Sequence, residues 1–302
     1  MYKFFDDQAN YLAAAVTYYA FFAIFPLMLI ASSVLGFLLQ GDEELRRAIL
    51  DSALAQFPIV GEKLGQPEGL QGSTSAVVVG GLLALYGVTN LGQAALNALN
   101  AAWGIPRNTR LNPVHGRLRS LVLFVVGGVS VLVVALLPSL AGRLGLFAVG
   151  SNAVARGLVS VVSVALSALV LAVMMLIAAS VRQRLRTLLP GAVFVAVLWH
   201  ALQAFGGVYV ENVVTRVGDV NGIFAFVLGL IVLIYFGSVI ALLGIELNVV
   251  LACRLFPRAL LTPFTDDVEL TEADRRVYTR YAKAQRHKGF EQITVTFDRD
   301  DP

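Results

Sequence analysis

Cysteine and charge are the two scarcest resources of this chain. A single cysteine, Cys253, stands in 302 residues, which excludes an intrachain disulfide framework and any multi-cysteine metal site. Charged residues make up 14%, against about 25% in soluble domains. No glycine-rich loop with its following lysine is present to cradle nucleotide phosphates, so nothing points to an ATPase. Three histidines, and acids scattered between loops and tail, offer neither clustered metal ligands nor a Ser-His-acid arrangement. Asp266-Asp267-x-Glu269 reads most simply as a solvated linker. No catalytic residue, metal, cofactor or nucleic-acid partner is expected.

What the chain has in excess is apolar length. It is 57% hydrophobic with a mean hydropathy of +0.75, the signature of an all-α polytopic membrane protein. Six apolar runs are long enough to span, near residues 11–39, 76–103, 120–141, 154–181, 188–210 and 222–252. They form a transmembrane domain over 1–255. Pro26 falls mid-run in the first and should kink that helix, freeing a carbonyl. The N-terminus does not read as a cleaved signal: Asp6 and Asp7 dilute its basic start, and the apolar run that follows is too long.

The basic residues orient the bundle. Lys3, Arg107, Arg110, Arg117, Arg119, Arg182, Arg184, Arg186 and the basic tail fall on one side. Arg46, Arg47, Lys63, Arg143, Arg156 and Arg216 fall on the other. The positive-inside rule therefore puts both termini in the cytoplasm. The largest external loop, 40–75, opens with Asp42-Glu43-Glu44 and continues with an apolar stripe, which predicts an amphipathic helix near 42–57. The cytoplasmic tail, 256–302, carries a basic amphipathic helix near 272–288. Thr271-x-x-Asp274 resembles a capping box at its start. Two readings fit this helix, a partner for anionic lipid headgroups or a solvated helix. Ile293-Thr-Val-Thr-Phe297 alternates like a short strand.

The polar residues inside the apolar runs are the candidate binding sites. Asn90, Gln93, Asn97 and Asn100 share one face of the second helix, and Tyr86 extends that face by a turn. The stripe rises about 15 Å. Amides in lipid need partners, so it faces other helices as glue or lines a wet cavity. Glu246 is the acid well inside an apolar run, with Tyr235 and Ser238 on its face and Gly237 and Gly244 on the packing side. It is an ion or headgroup site, or a neutral acid bonded to a carboxamide. His200 and Gln203 share a face of the fifth run, as a proton relay or a satisfied helix contact. Thr17 and Tyr18 add polar groups to the first helix. Because the second and sixth helices both run inward, Glu246 is expected beside Asn97 and Asn100.

Four motifs then resemble one family in order along the chain. Ala13-Ala-Ala-Val-Thr-Tyr-Tyr-Ala-Phe-Phe-Ala-Ile-Phe-Pro26-Leu, Ala95-Leu-Asn97-Ala-Leu-Asn100, Leu189-Pro-Gly-Ala192 leading to Trp199, and Leu242-Leu-Gly-Ile-Glu246-Leu-Asn248 are similar to the YihY / virulence factor BrkB family. Two positions depart from its pattern. Asn221-Gly222 stands where Tyr-Gly often opens the last helix, and Leu233-Ile234 stand where a tryptophan often precedes Tyr235. The resemblance implies a bacterial inner-membrane protein of six helices with cytoplasmic termini. Members have carried the name ribonuclease BN, a label widely regarded as mistaken. Others have been linked to serum resistance and to export of envelope lipids. Residues and resemblance together lead to an expected transporter or flippase-like protein for a lipid or other amphipathic envelope substrate. The alternative is a non-transporting envelope scaffold, and a membrane ribonuclease stands third. Membrane lipids are the expected partners, with self-association a further one.

Overall fold

The computed structural model describes residues 2–38, 74–143, 153–181, 183–209, 219–256 and 269–297. Among them are eight α-helices: α1 Tyr2–Asp6, α2 Ala9–Leu38, α3 Thr74–Ala102, α4 Pro113–Arg143, α5 Ala153–Ala178, α6 Leu185–Tyr209, α7 Asp219–Cys253 and α8 Glu272–Ala284. No strand occurs among the described residues, the alternating segment 293–297 included. The expected external helix at 42–57 lies outside them. Pro26 lies within α2, in a stretch whose side chains are likewise outside the description.

Each expected apolar run falls in its own long helix. These helices have 25 to 35 residues, about 37 to 52 Å at 1.5 Å per residue. Among the described residues, Ser160–Ala178, Leu185–Val208 and Phe224–Cys253 are long and apolar enough to cross a membrane. The long helices form a ring: each packs on the next in sequence, α7 closes on α2, and α3 also touches α7.

Local chemistry sets the helix ends. α4 begins at Pro113, several residues before its apolar run. Asn112 Oδ1 accepts the Val114 N–H at 3.3 Å, and proline suits a first helical turn whose N–H has no partner inside the helix. α3 ends where Gly104 turns left-handed, φ 58°, and the Ile105 N–H returns to Asn100 O at 2.9 Å. α7 ends in the same way without a glycine. Arg254 adopts φ 51°, and the Leu255 N–H reaches Val250 O at 3.1 Å. In both cases the next side chain, Ile105 or Leu255, is buried, which anchors the turn.

Small residues let α6 and α7 approach closely. A Cβ on Gly191 would lie 2.0 Å from Gly244 O, and one on Gly244 would lie 2.2 Å from Val195 Cγ2. A Cβ on Gly237 would meet the Trp199 ring at 2.9 Å. The glycine side of α7 is thus a packing face, in line with its sequence. Dispersion between backbones in contact holds such seams together.

The apolar face of the tail helix is buried against the bundle, and its polar face is exposed at Glu272, Arg276 and Lys283. Val277 is 1% exposed and belongs to the main core with Trp103, Ile105, Val249 and Leu255; Tyr281 packs against the same cluster. The capping box at its start is present in full, Thr271 with Asp274. The helix stops at Ala284 rather than near 288. There the Glu291 carboxylate accepts the N–H groups of His287 at 2.7 Å and Lys288 at 3.1 Å, and those two bonds hold its pKa below the ordinary carboxylate range.

Candidate functional site

The short N-terminal helix builds the site. Gln8 takes a left-handed φ of 51°, a conformation uncommon for a residue with a Cβ. It turns the chain sharply between α1 and α2. Phe4 is thereby buried with Ala9, Ala13, Ala98 and Leu242. The same turn carries Lys3 and Asp7, one helical turn apart, into the end of the bundle.

There Lys3 meets three partners. Its ammonium pairs with the Asp7 carboxylate, lies 2.9 Å from Glu246 Oε2 and donates to Ala102 O at 2.9 Å. The side chains of Lys3 and Asp7 are 4% exposed and that of Glu246 is 6% exposed. Ala102 O belongs to the last turn of α3, where carbonyls lack partners inside the helix and the macrodipole is negative. Tyr281 of α8 covers the cluster, with its ring centroid 5.7 Å from the ammonium. Burial first, and then the Asp7 carboxylate, push the Tyr281 phenol above its ordinary pKa.

The balance of charge is the chemical point. Two carboxylates share one ammonium in a site nearly sealed from solvent. Desolvated ions must be paired, and two carboxylates around a single cation leave one negative charge over, which a proton or a cation can neutralise. Glu246 Oε2 faces that ammonium at 2.9 Å and has to share it with Asp7.

Glu246 therefore does not meet the partners expected for it. Lys3 and Asp7 take the place of Asn97 and Asn100, because a buried carboxylate needs countercharge more than it needs an amide. Asn100 is buried and accepts from Ser180 Oγ at 2.7 Å. Gln93 donates to Ser120 Oγ at 3.4 Å, and Asn90 donates back to Tyr86 O of its own helix at 2.8 Å. Asn97 is exposed on the surface of the bundle, as is Tyr86 at 66%. The amide stripe is thus split between helix contacts, its own backbone and the outer surface.

The remaining candidates divide in the same way. On the Glu246 face, Thr17 Oγ1 donates to Ala13 O at 2.7 Å and lies 3.3 Å from Ser238 Oγ, tying α2 to α7. Ser238 in turn donates to Ile234 O at 2.8 Å. Tyr235 is half-buried against the Phe4 cluster. Tyr18 is exposed and packs its ring, tilted, against Phe22 at a centroid distance of 4.8 Å. His200 and Gln203 are half-buried on α6, with His200 Nε2 3.5 Å from Ser167 Oγ, a distance for a helix contact.

Three residues of the site escaped the sequence reading. Lys3 counted there only toward topology, Asp7 only against a signal peptide, and Tyr281 only as one side of an amphipathic helix. One signal was available: lysine and aspartate four apart before the first apolar run form a helix pair. Its partner across the fold was not legible. Among the described residues, no three His, Cys, Asp or Glu side chains converge as metal donors.

Comparison with known proteins adds the lineage. No solved structure matches the chain. A putative ribonuclease-like protein, YfkH of Bacillus subtilis (strain 168), is 24% identical over 252 residues, covering 80% of this chain and 90% of the relative. The family profile described as virulence factor BrkB matches residues 1–264. A profile match over most of the chain, on an all-helical bundle with several apolar helices of membrane-crossing length, makes this protein a member of the virulence factor BrkB family.

Proposed function

We propose that this protein is a six-span transporter or flippase-like protein of the bacterial inner membrane. In this reading both termini lie in the cytoplasm, and the substrate is a lipid or another amphipathic envelope molecule. The observation that carries it is the buried Lys3–Asp7–Glu246 cluster, with two carboxylates to one ammonium. Such a cluster can gain a proton or cation and loosen α1 from α7. The exposed Tyr86 and Asn97 of α3, and Tyr18 of α2, are the polar groups available to a headgroup passing along the bundle surface.

Reconstitution in vesicles with a fluorescent lipid tests the proposal. Glu246→Gln and Asn97→Leu should each slow transbilayer movement at least about tenfold, a loss of roughly 1.4 kcal/mol of barrier lowering, while the melting of the protein stays cooperative. Unchanged rates in both variants would sink it. One observation favours the scaffold reading instead: Gln93 and Asn100 bond to residues outside their own helix, as interhelical glue does. Under that reading neither variant alters lipid movement, and binding to envelope proteins resides in the external loop and the tail. The ribonuclease-like name of the Bacillus relative is not carried over, since among the described residues no three His, Cys, Asp or Glu side chains converge to support it.

A further inference from the structure

The inner face of α8 carries a feature that the ion cluster does not use. Between α8 and the ends of α3 and α7 lies a cavity of about 470 Å³, within the range of small-molecule sites. Arg275, Arg276, Arg280 and Lys283 line it together with Thr279, and no acidic side chain does. Among the described residues, none of these four cations has a carboxylate within ion-pair distance.

The spacing of these cations is costly for a helix by itself. Arg276 and Arg280 are four apart, and like charges at that spacing repel. Arg275 also sits at the end of the first turn of α8, where the macrodipole disfavours cations. An anion among them would reverse both costs.

Two of the cations, Arg275 and Arg280, are also held in place rather than left to solvent. Arg280 donates to Trp103 O and, at 3.0 Å, to Cys253 Sγ. Gly104 makes room for it, since a Cβ there would lie 3.0 Å from Arg280 Nε. The Arg275 guanidinium lies over the Phe297 ring at 5.8 Å. Neither Arg275 Nε nor Arg280 Nε has a hydrogen-bond acceptor among the described residues. Arg276 and Lys283 are exposed, so the cavity opens to the surface. Planar guanidinium groups fixed around an open cavity, with a hydroxyl beside them, match the geometry and charge of a phosphate.

We propose that this cavity binds a phosphate-bearing ligand, held by Arg275, Arg276, Arg280 and Lys283. The proposal stands independently of the transport reading, because occupancy here does not require that anything be moved.

Cys253 lines the same cavity and is the only cysteine of the chain, so it reports on this site alone. The experiment measures the rate of maleimide labelling of the full chain in a neutral detergent. The probes are pyrophosphate, a short-chain phosphatidylglycerol and, as the uncharged control, a short-chain diacylglycerol. The expected result is saturable slowing by pyrophosphate, by phosphatidylglycerol or by both, and none by diacylglycerol. Slowing by phosphatidylglycerol alone identifies a lipid headgroup as the source of the phosphate, and slowing by pyrophosphate alone identifies a soluble one. Arg275→Gln with Lys283→Gln should raise the half-saturating concentration about tenfold or more. Arg117→Gln, an exposed cation of α4 outside the cavity, should leave it unchanged. Should the double variant fail to fold, Arg276→Gln, whose Nε bonds only a carbonyl of its own helix, tests the same site. Absence of saturable protection by either phosphate probe overturns the proposal. So does equal weakening by the cavity variants and Arg117→Gln, which would mark a general charge effect.

Discussion

Glu246 and Asn248 stand in the last two turns of α7, both buried, at 5% and 0% exposure, and their surroundings are opposite. Asn248 faces α6. Its Oδ1 accepts the Gly191 N–H at 2.7 Å, and its Nδ2 donates to Leu188 O at 3.0 Å. Pro190 explains why α6 has these groups to offer: a proline inside a helix lacks an N–H and pushes on the preceding turn, so backbone groups around it look elsewhere for partners. The amide fills both needs without adding charge. Glu246 faces α1, where it shares the single Lys3 ammonium with Asp7. A neutral side chain bonded at both ends is architecture. A carboxylate that shares its countercharge with another can respond to a proton or an ion.

The contrast can be broken by removing each partner in turn. The largest effect is expected from Lys3→Met, which keeps side-chain length but strands Asp7 and Glu246. Losing one member of a buried ion pair costs about 3–5 kcal/mol. Thermal melting in detergent should show that loss, and Glu246→Gln added to Lys3→Met should recover part of it. If Lys3→Met melts like the parent, the cluster is solvated in solution and the contrast with Asn248 fails.

On the architectural side, Asn248→Leu should cost about 1–3 kcal/mol, the usual penalty for leaving buried polar groups unpaired. Its loss should not change with pH between 5 and 8, because the groups Asn248 bonds, the Gly191 N–H and the Leu188 carbonyl, do not titrate. Lipid movement by the folded fraction should be unaffected. A selective loss of transport in Asn248→Leu, at unchanged stability, would move function to the α6–α7 seam.

The smallest effects separate two members of the amide stripe. Asn100→Ala removes the Ser180 bond and should cost roughly 0.6 kcal/mol, the average for polar contacts between membrane helices. Asn97→Leu lies on the surface and should stay within about 0.5 kcal/mol of the parent. Unfolding of both in sodium dodecyl sulfate mixtures resolves the difference. A larger loss at Asn97 would show that it is covered by another part of the protein.

Much of the fold was legible from local pattern. The apolar runs fixed six long helices because length and hydropathy act within a segment, and the capping box at Thr271 is likewise a matter of neighbours. The glycine side of α7 could be read because small residues at helical spacing permit close packing. The site was only half legible. Glu246 stood out as an acid in an apolar run, yet its partner sits near the other end of the chain on a five-residue helix. The amide stripe shows the limit in reverse. Periodicity placed Asn90, Gln93, Asn97 and Asn100 on one face, but a face wide enough to hold four amides borders more than one neighbour.

The sequence by itself determined that this is a bundle of long apolar helices, that polar groups are set within them, and that one end is basic. Tertiary structure alone decided which polar groups meet. It turned α1 back at Gln8 to deliver Lys3 and Asp7 to Glu246, and it docked α8 through Val277 to cover them. The physical reason is that periodicity reports only which residues share a face. Which faces pair is settled by the cost of desolvating charge, and that cost exists only once the helices are packed.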